Sequence, residues 1–540
     1  MTKSVTIFDT TLRDGTQGEG ISLSVEDKLK IARKLDELGV HYIEGGWPGS
    51  NNKDIEFFAR ARDLNLKHAQ ITAFGSTRRK GIAAEQDENL QKILESGVTV
   101  ATIFGKSWDF HVHTAIQTTL EENLAMIYDS VRYLKQHGLE VIYDAEHFFD
   151  GYKNNREYAL ATLKKAAEAG ADWLVLCDTN GGSLPHEISE IVGTVCAMFN
   201  TPIGIHAHND CELGVANSLA AVQAGATQVQ GTINGFGERC GNANLVSIIP
   251  NLQLKMGYQV VTPEQLASLY SVSRYINELA NVHMPVNQPY VGASAFAHKG
   301  GVHVSAILKN ASTYEHIRPE LVGNKQRVLV SELAGASNLI FKAQELNLNI
   351  NLESEQARKI IRQIKELEHQ GFQFEGADGS LELMLREAAG QMEELFTVES
   401  FKIFVEKHAD NHVVCEAIVK IKVGGETVYT AAEGNGPVNA LDNALRQALS
   451  KFYPEIKQMH LSDYKVRVID EKDATAAKVR VLIESTDFKN TWNTVGVSTN
   501  IIEASWNALV DSMRYALLGK TKVSCSSADK DEVKLGISNH

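Results

Sequence analysis

From residue 4 to about 255 the chain alternates short apolar runs with longer amphipathic ones. The short runs are SVTIFDT, HYIEGG, AQITAFG, VTVATIFG, LEVIYDAE, DWLVLCDTN, TPIGIHAHND and TQVQGTING, and they have the length and content of buried strands. Between them lie patterns with apolar positions three and four apart, such as VEDKLKIARKLDELG, LEENLAMIYDSVRYLKQHG, NREYALATLKKAAEAG and CELGVANSLAAVQAG. Several of these close on glycine, which stops a helix. Eight strand-helix units in about 250 residues predict an α/β fold, a closed (β/α)8 TIM barrel. An open doubly wound sheet is the rival arrangement of the same pattern.

From about 256 to 390 the pattern turns helical, most clearly in LASLYSVSRYINELANV and ESEQARKIIRQIKELEHQGFQF. After about 395 it changes again. The stretches HVVCEAIVKIKVGGETVYTAAEGNGPVNALDNALRQAL and KVRVLIESTDFKNTWNTVGVSTNIIEASWNALVDSMRYAL both read strand, strand, glycine-containing turn, long amphipathic helix. That repetition predicts an internal duplication within one α+β domain. The expected division is a barrel over 1–270, a helical linker over 271–392, an α+β domain over 393–520 and a polar, frayed tail over 521–540.

Composition narrows the function classes. With 43% hydrophobic and 22% charged residues, and no apolar run long enough to span a bilayer, the 540-residue chain reads as soluble. A net charge of -14 disfavours nucleic acid and anionic membranes as partners. The opening MTKSVTIFDT enters a strand without the order of a signal peptide. Six cysteines, at 177, 196, 211, 240, 415 and 525, show no CxxC spacing, so neither a disulfide framework nor a structural zinc site is expected. These features predict a cytoplasmic protein.

Candidate chemistry gathers at strand ends. In HAHND, His206 and His208 are two apart on a strand and share a face at its C-terminal end. Asp14 follows strand one, and Asn242 follows strand eight in GFGERCGNANL. Closing the barrel makes strand eight a neighbour of both seven and one, so these four side chains converge into a mixed N/O set suited to Mg²⁺, Mn²⁺ or Zn²⁺. Core histidines are the plainer reading, and so is a helix cap for Asp14, although Ser24 stands nearer that helix.

Arg13 offers a planar fork for a carboxylate or an oxyanion, against the alternative of a surface ion pair. Gln17 orients a substrate or holds the turn. Glu146, ending strand five, points into a barrel mouth unless it is a solvated loop acid. Thr179, in LCDTNGG, has a hydroxyl suited to a carboxylate. The segment AHKGGVHVSAILKNASTYEHI lacks periodicity and reads as a lid near 290–320, with His303 and Tyr314 as its functional candidates. In EGNGPVNALDN, Gly434, Asn435 and Gly436 open a helix whose N–H groups can take an amino-acid carboxylate; an ordinary glycine turn is the alternative.

LRDGTQ followed by ten residues and Lys28, HAHND…VANSLAAV, GERCGNANL and GGVHVSAILKN…TYE together resemble the 2-isopropylmalate, homocitrate and citramalate synthases. These are metal-dependent TIM-barrel enzymes that carry out Claisen condensations with an acyl-CoA. The resemblance covers essentially the whole chain, and the α+β domain resembles the leucine- or isoleucine-sensing regulatory domain of that family. FDTTLRDGTQGEGISLS and EGGWPGSNNKD look closest to the branch that condenses acetyl-CoA with pyruvate.

The resemblance implies that Asp14, His206, His208 and Asn242 hold one divalent metal, Mg²⁺ or Mn²⁺ with Zn²⁺ as the alternative. It further implies that Arg13 steadies the oxyanion, Thr179 contacts the 2-oxo acid carboxylate and Gln17 lines the pocket. Glu146 and His303 would serve as acid-base groups, with Tyr314 near acetyl-CoA. It implies an acyltransferase of isoleucine biosynthesis, a likeness to homodimers, and an isoleucine effector at Gly434–Gly436.

Bulky Phe74 and Phe104 at the ends of strands three and four favour the methyl of pyruvate over a branched group, unless both belong to the barrel core. The sister activities and a non-catalytic amino-acid sensor are the competing readings. The chain departs from the family at HNDCELGVANS, where Cys211, Glu212 and Gly214 replace the usual texture and unsettle the start of the following helix. Cys240, two residues before Asn242, reads as structural.

Overall fold

The computed structural model describes residues 3–331, 336–346, 348, 355–469, 477–487 and 490–519. The tail expected over 521–540 lies outside the described residues. Eight parallel strands form a closed barrel: β1 (Thr6–Asp9), β2 (Tyr42–Gly46), β3 (Gln70–Ser76), β4 (Val100–Lys106), β5 (Glu140–Glu146), β6 (Trp173–Asp178), β7 (Ile203–Ala207) and β8 (Gln228–Gly231). The ring closes where Thr6 pairs with Gln228 and Asp9 with Gly231. The open-sheet alternative is thereby excluded.

Local chemistry sets the helix ends. The helix Val25–Leu38 starts at Ser24, whose hydroxyl accepts the Asp27 N–H while the Asp27 carboxylate accepts the Ser24 N–H, and it stops at Gly39 with φ +86°. With Ser24 as its cap, that helix makes no use of Asp14. After β7 the helix Gly214–Ala224 has no side-chain cap from Leu213, the residue before it; the Asn209 carboxamide oxygen accepts the Gly214 N–H instead, so the unusual CELG sequence still leads into a helix.

Alternate strand residues face the lumen. Phe8, Tyr42, Val100, Ile142, Val175 and Cys177 form a separate apolar cluster there. Two residues beyond Tyr42 and Ile142 the same strands turn polar at Glu44 and Asp144, and His206 of β7 and Gln230 of β8 are buried polar residues as well. Apolar packing thus fills one end of the lumen and leaves the other for chemistry, the usual division of a TIM barrel.

The described residues fall into two compact units. The first holds the barrel up to Phe296 together with Glu315–Gln326. Its core takes in Leu269, Val272 and Ile276 of the helix Leu269–Leu279. The second holds Ala297–Tyr314 and the described residues from Arg327 onward.

In the second unit two sets of three antiparallel strands and a helix follow one another: Thr397–Lys407, Val413–Val423, Glu426–Gly434 and Pro437–Leu449, then His460–Val468, Val479–Thr486, Thr491–Ser498 and Ile501–Ala516. Each repeat carries one strand more than its sequence pattern predicts. The extra strand leads its sheet from the edge and is largely exposed, so it lacks a sustained apolar face. The duplication extends to side chains: Thr430 donates to the Ala444 carbonyl and Thr494 to the Ala508 carbonyl, each at 2.8 Å and across fourteen residues. Among the described residues no helix is long and apolar enough to cross a membrane.

Asp36, on the helix Val25–Leu38, accepts the backbone N–H groups of Lys67, His68 and Ala69 at 2.7–3.0 Å and so ties that helix to the entry of β3. Burial alone would raise its carboxyl, but the three donors outweigh it and hold the group below the ordinary range. Asp36→Ala is expected to cost about 2–3 kcal/mol in denaturant unfolding at pH 7. A depressed folded-state pKa stabilises above the unfolded value, about 3.9, and this is lost as the pH falls through the folded value, so the gap between variant and parent narrows in acid.

Candidate active site

The turn after β1 is built to present Arg13 and Asp14. The Asp9 carboxylate accepts both the N–H and the hydroxyl of Thr11, and the Thr11 hydroxyl accepts the N–H of Ile233 beyond β8. Leu12 is fully buried and anchors the turn. The loop after β8 lies along the end of β7: Ala243 N–H donates to Ala207, and Asn209 N–H to Gly241. Gly237, at φ +150°, is required there, because a Cβ would lie 2.2 Å from the Asn242 amide nitrogen.

These elements bring the four expected side chains together. One ligand-type atom each from Asp14, His206 and His208 lies within 4.8 Å of the others, all buried. Asn242 donates to Asp14 at 3.1 Å across 228 positions of sequence, and its own Oδ1 is buried without a hydrogen-bond partner. Burial alone would raise the Asp14 pKa, but Arg13 and the neighbouring imidazoles override it and carry it down to about 2. Burial lowers His208 to about 3 and lowers His206 as well. An ionised carboxylate, two neutral imidazoles and an unpartnered amide oxygen fit a divalent cation.

Behind the ligands stands a hydrogen-bonded relay. The Gln230 carboxamide nitrogen donates to Asp144 at 3.1 Å, which turns its oxygen toward His206 Nδ1 at 2.9 Å. Nδ1 therefore carries the imidazole proton, and Nε2, which faces Asp14 and His208, keeps its lone pair. Burial holds the Asp144 carboxyl well above the ordinary range.

Arg13 is not in a surface ion pair: Nε bonds to the fully buried Glu44 at 2.5 Å, another nitrogen lies 3.2 Å from Asp14, and the group sits 3.7 Å over the Phe74 ring. Burial pushes the Glu44 carboxyl up to about 7, with Arg13 opposing the rise.

The pocket is a cavity of about 250 Å³ lined by Arg13, Asp14, Gln17, Phe74, Phe104, Glu146, Thr179, His206 and His208 among the expected residues. Phe74 and Phe104 stack at 5.3 Å. Glu146 is ion-paired with Lys106, the residue opposite it at the end of β4. The Thr179 hydroxyl accepts the His147 N–H at 2.9 Å and keeps its own proton to donate. Cys240, read as structural, is exposed.

Trp47, Asp144, Cys177, Glu238 and Arg239 also line the pocket, and with Glu44 and Gln230 they are the residues that spacing did not indicate. For Glu44 and Asp144 a signal existed, since an acid inside an otherwise apolar strand needs a buried partner. Arg239 joins three loops, donating to Asp210, to the Thr179 carbonyl and to His208 Nδ1.

The remaining candidates belong to the second unit. His303 and Tyr314 stack on one another with centroids 4.1 Å apart. Gly434 lets its strand approach the following helix, where a Cβ would stand 2.3 Å from the Ala440 nitrogen. Gly436 caps the helix Pro437–Leu449 without a side chain, and the Asn435 N–H is taken by Asn439.

The fold and the site define a TIM-barrel enzyme, and the chain belongs to the HMGL-like family, whose model it matches over residues 4–276. Residues 290–371 match the homocitrate synthase post-HMGL domain-like family, and residues 375–517 match the LeuA allosteric (dimerisation) domain. The (R)-citramalate synthase of Aquifex aeolicus is 56% identical over 96% of this chain and 98% of its own length. That of Geobacter sulfurreducens is 56% identical over 95% and 97%. The probable 2-isopropylmalate synthase of Methanopyrus kandleri is 34% identical over 94% and 98%.

Replacing Glu44 by alanine leaves the Arg13 charge buried without its main counter-ion. Glu44→Ala is expected to lower the unfolding free energy by about 3 kcal/mol, and Glu44→Gln by less, in denaturant titrations.

Proposed function

We propose that the chain is an acyltransferase that condenses acetyl-CoA with pyruvate and water to give (R)-citramalate and CoA, in keeping with its 56%-identical relatives, which are (R)-citramalate synthases. The observation that carries this reading is the convergence of Asp14, His206, His208 and Asn242 beside Arg13 in a small pocket walled by Phe74 and Phe104. Asp14, His206, His208 and Asn242 would hold a divalent ion, which when bound would supply Lewis acidity to a 2-oxo acid carbonyl.

The chain's own residues supply the rest. Arg13, fixed by Glu44, directs its remaining N–H groups at the substrate carboxylate or the new oxyanion. Thr179 donates its hydroxyl to the carboxylate, and Gln17, at the pocket edge, orients the acid. Glu146, held by Lys106, moves a proton at the acetyl methyl or the attacking water. His303 and Tyr314 are proposed from their sequence motif, the first as the acid-base partner of Glu146 and the second as a contact for acetyl-CoA. Hydrolysis of the thioester then releases CoA and drives the reaction forward.

The reaction serves isoleucine biosynthesis, and isoleucine is the proposed effector. It acts through the domain that matches the LeuA allosteric (dimerisation) model, with the Gly434–Gly436 turn as its carboxylate contact and a homodimer as the working assembly. The five described cysteines are free thiols, in keeping with a proposed cytoplasmic location.

Thiol release from acetyl-CoA with a panel of 2-oxo acids is expected to be fastest with pyruvate, to vanish with EDTA and to return with Mg²⁺ or Mn²⁺. A panel in which no acid releases thiol overturns the function. Asp14→Ala combined with His206→Ala is expected to abolish Mn²⁺ binding in calorimetry. Gln230→Leu, which removes the relay to His206, should weaken it about 10- to 100-fold. Isoleucine is expected to slow pyruvate turnover; an unchanged rate removes it as effector.

A further inference from the structure

The β2 loop sequence EGGWPGSNNKD places one large residue, Trp47, at the pocket, and two independent clamps fix it there. One holds its backbone. The Trp47 N–H donates to Asp54 at 2.9 Å, and Asp54 is paired with the buried Lys28, which also donates to the Gly45 carbonyl. Gly46, at φ +151°, allows this approach, because a Cβ would lie 2.4 Å from the Asp54 carboxyl carbon. The other holds its ring. The indole N–H donates to Asn89 at 2.6 Å, and the Asn89 amide nitrogen is bound to the Ser76 carbonyl at 2.8 Å, which fixes the orientation of that amide.

So held, the half-buried indole meets Phe74 and Phe104 edge-on, with centroid distances of 5.6 and 5.7 Å and interplanar angles of 85° and 84°. Arg13 packs on the same aromatic group, its guanidinium 3.7 Å over the Phe74 ring. The polar end of a bound acid is therefore set by Arg13 and the ligand cluster, and the rings stand where its alkyl end must go. Edge-to-face packing of this kind adds stability beyond buried area, so the wall does not yield easily to a larger group.

We propose that Trp47 is a specificity-determining residue that limits the alkyl group of the 2-oxo acid, an inference that rests on the pocket being the 2-oxo acid site. A rigid wall rejects an added methylene by a factor of about 10 or more, and a wall that can retreat does not. Trp47 acts directly, and Asn89 is its positioning residue.

The test measures kcat/KM for pyruvate, 2-oxobutanoate and 2-oxoisovalerate with the full chain and with Trp47→Ala, Trp47→Phe and Asn89→Ala. Trp47→Ala is expected to raise the 2-oxobutanoate-to-pyruvate ratio about 10-fold, chiefly through a lower KM for the larger acid. Trp47→Phe and Asn89→Ala should shift it in the same direction by less, with Mn²⁺ affinity unchanged in all three. A merely structural residue would lower all three acids alike. A ratio constant within about twofold in Trp47→Phe and Asn89→Ala overturns the inference even if Trp47→Ala fails to fold. Parent protein that condenses none of the acids overturns the function itself, and this inference with it.

Discussion

The hydrogen bonds that join β8 to β1 are the constraint on which the rest depends. They set the first and last strands of the ring side by side and turn a separation of 228 positions into a 3.1 Å contact between Asp14 and Asn242. The tie from Thr11 to Ile233 shows the same closure one layer higher, in the loops. An arrangement of this kind has high contact order, so the ligand cluster is complete only after the last strand has been placed. Neither half of the barrel contains the site.

Closure also confines several ionisable groups within one largely buried space. Arg13, Asp14, Glu44, Asp144 and two imidazoles share the lumen end, where each isolated charge would be costly. The structure answers with pairing and neutralisation: Arg13 serves Glu44 and Asp14 together, while Asp144 accepts a bond from Gln230. This arrangement prepares polar side chains in fixed orientations before any ligand arrives, which is what electrostatic preorganisation requires. Its cost is borne by the apolar cluster of Phe8, Tyr42, Val100, Ile142 and Val175 at the other end of the lumen.

Much of this was legible in the sequence because two simple periods carry it. Alternating apolar runs identified all eight barrel strands, and the two-residue spacing of His206 and His208 put both imidazoles on one face. Neighbourhood was harder to read. Nothing local says that Glu44 of β2 will meet Arg13 after β1, or that Gln230 of β8 will span from Asp144 to His206; these depend on which strands lie beside each other and at what height. The leading strand of each α+β repeat escaped for another reason. An exposed edge strand shows no apolar period strong enough to separate it from a loop.

The Trp47, Phe74 and Phe104 wall comes from the ends of β2, β3 and β4, whereas the ligand cluster comes from the ends of β7, β8 and β1. The ligand cluster and the aromatic wall therefore occupy adjacent arcs of one ring and meet where Arg13 rests on Phe74. Loops on one arc can drift in sequence while the other stays fixed, which gives a lineage a route to new carbon skeletons without rebuilding its reaction centre.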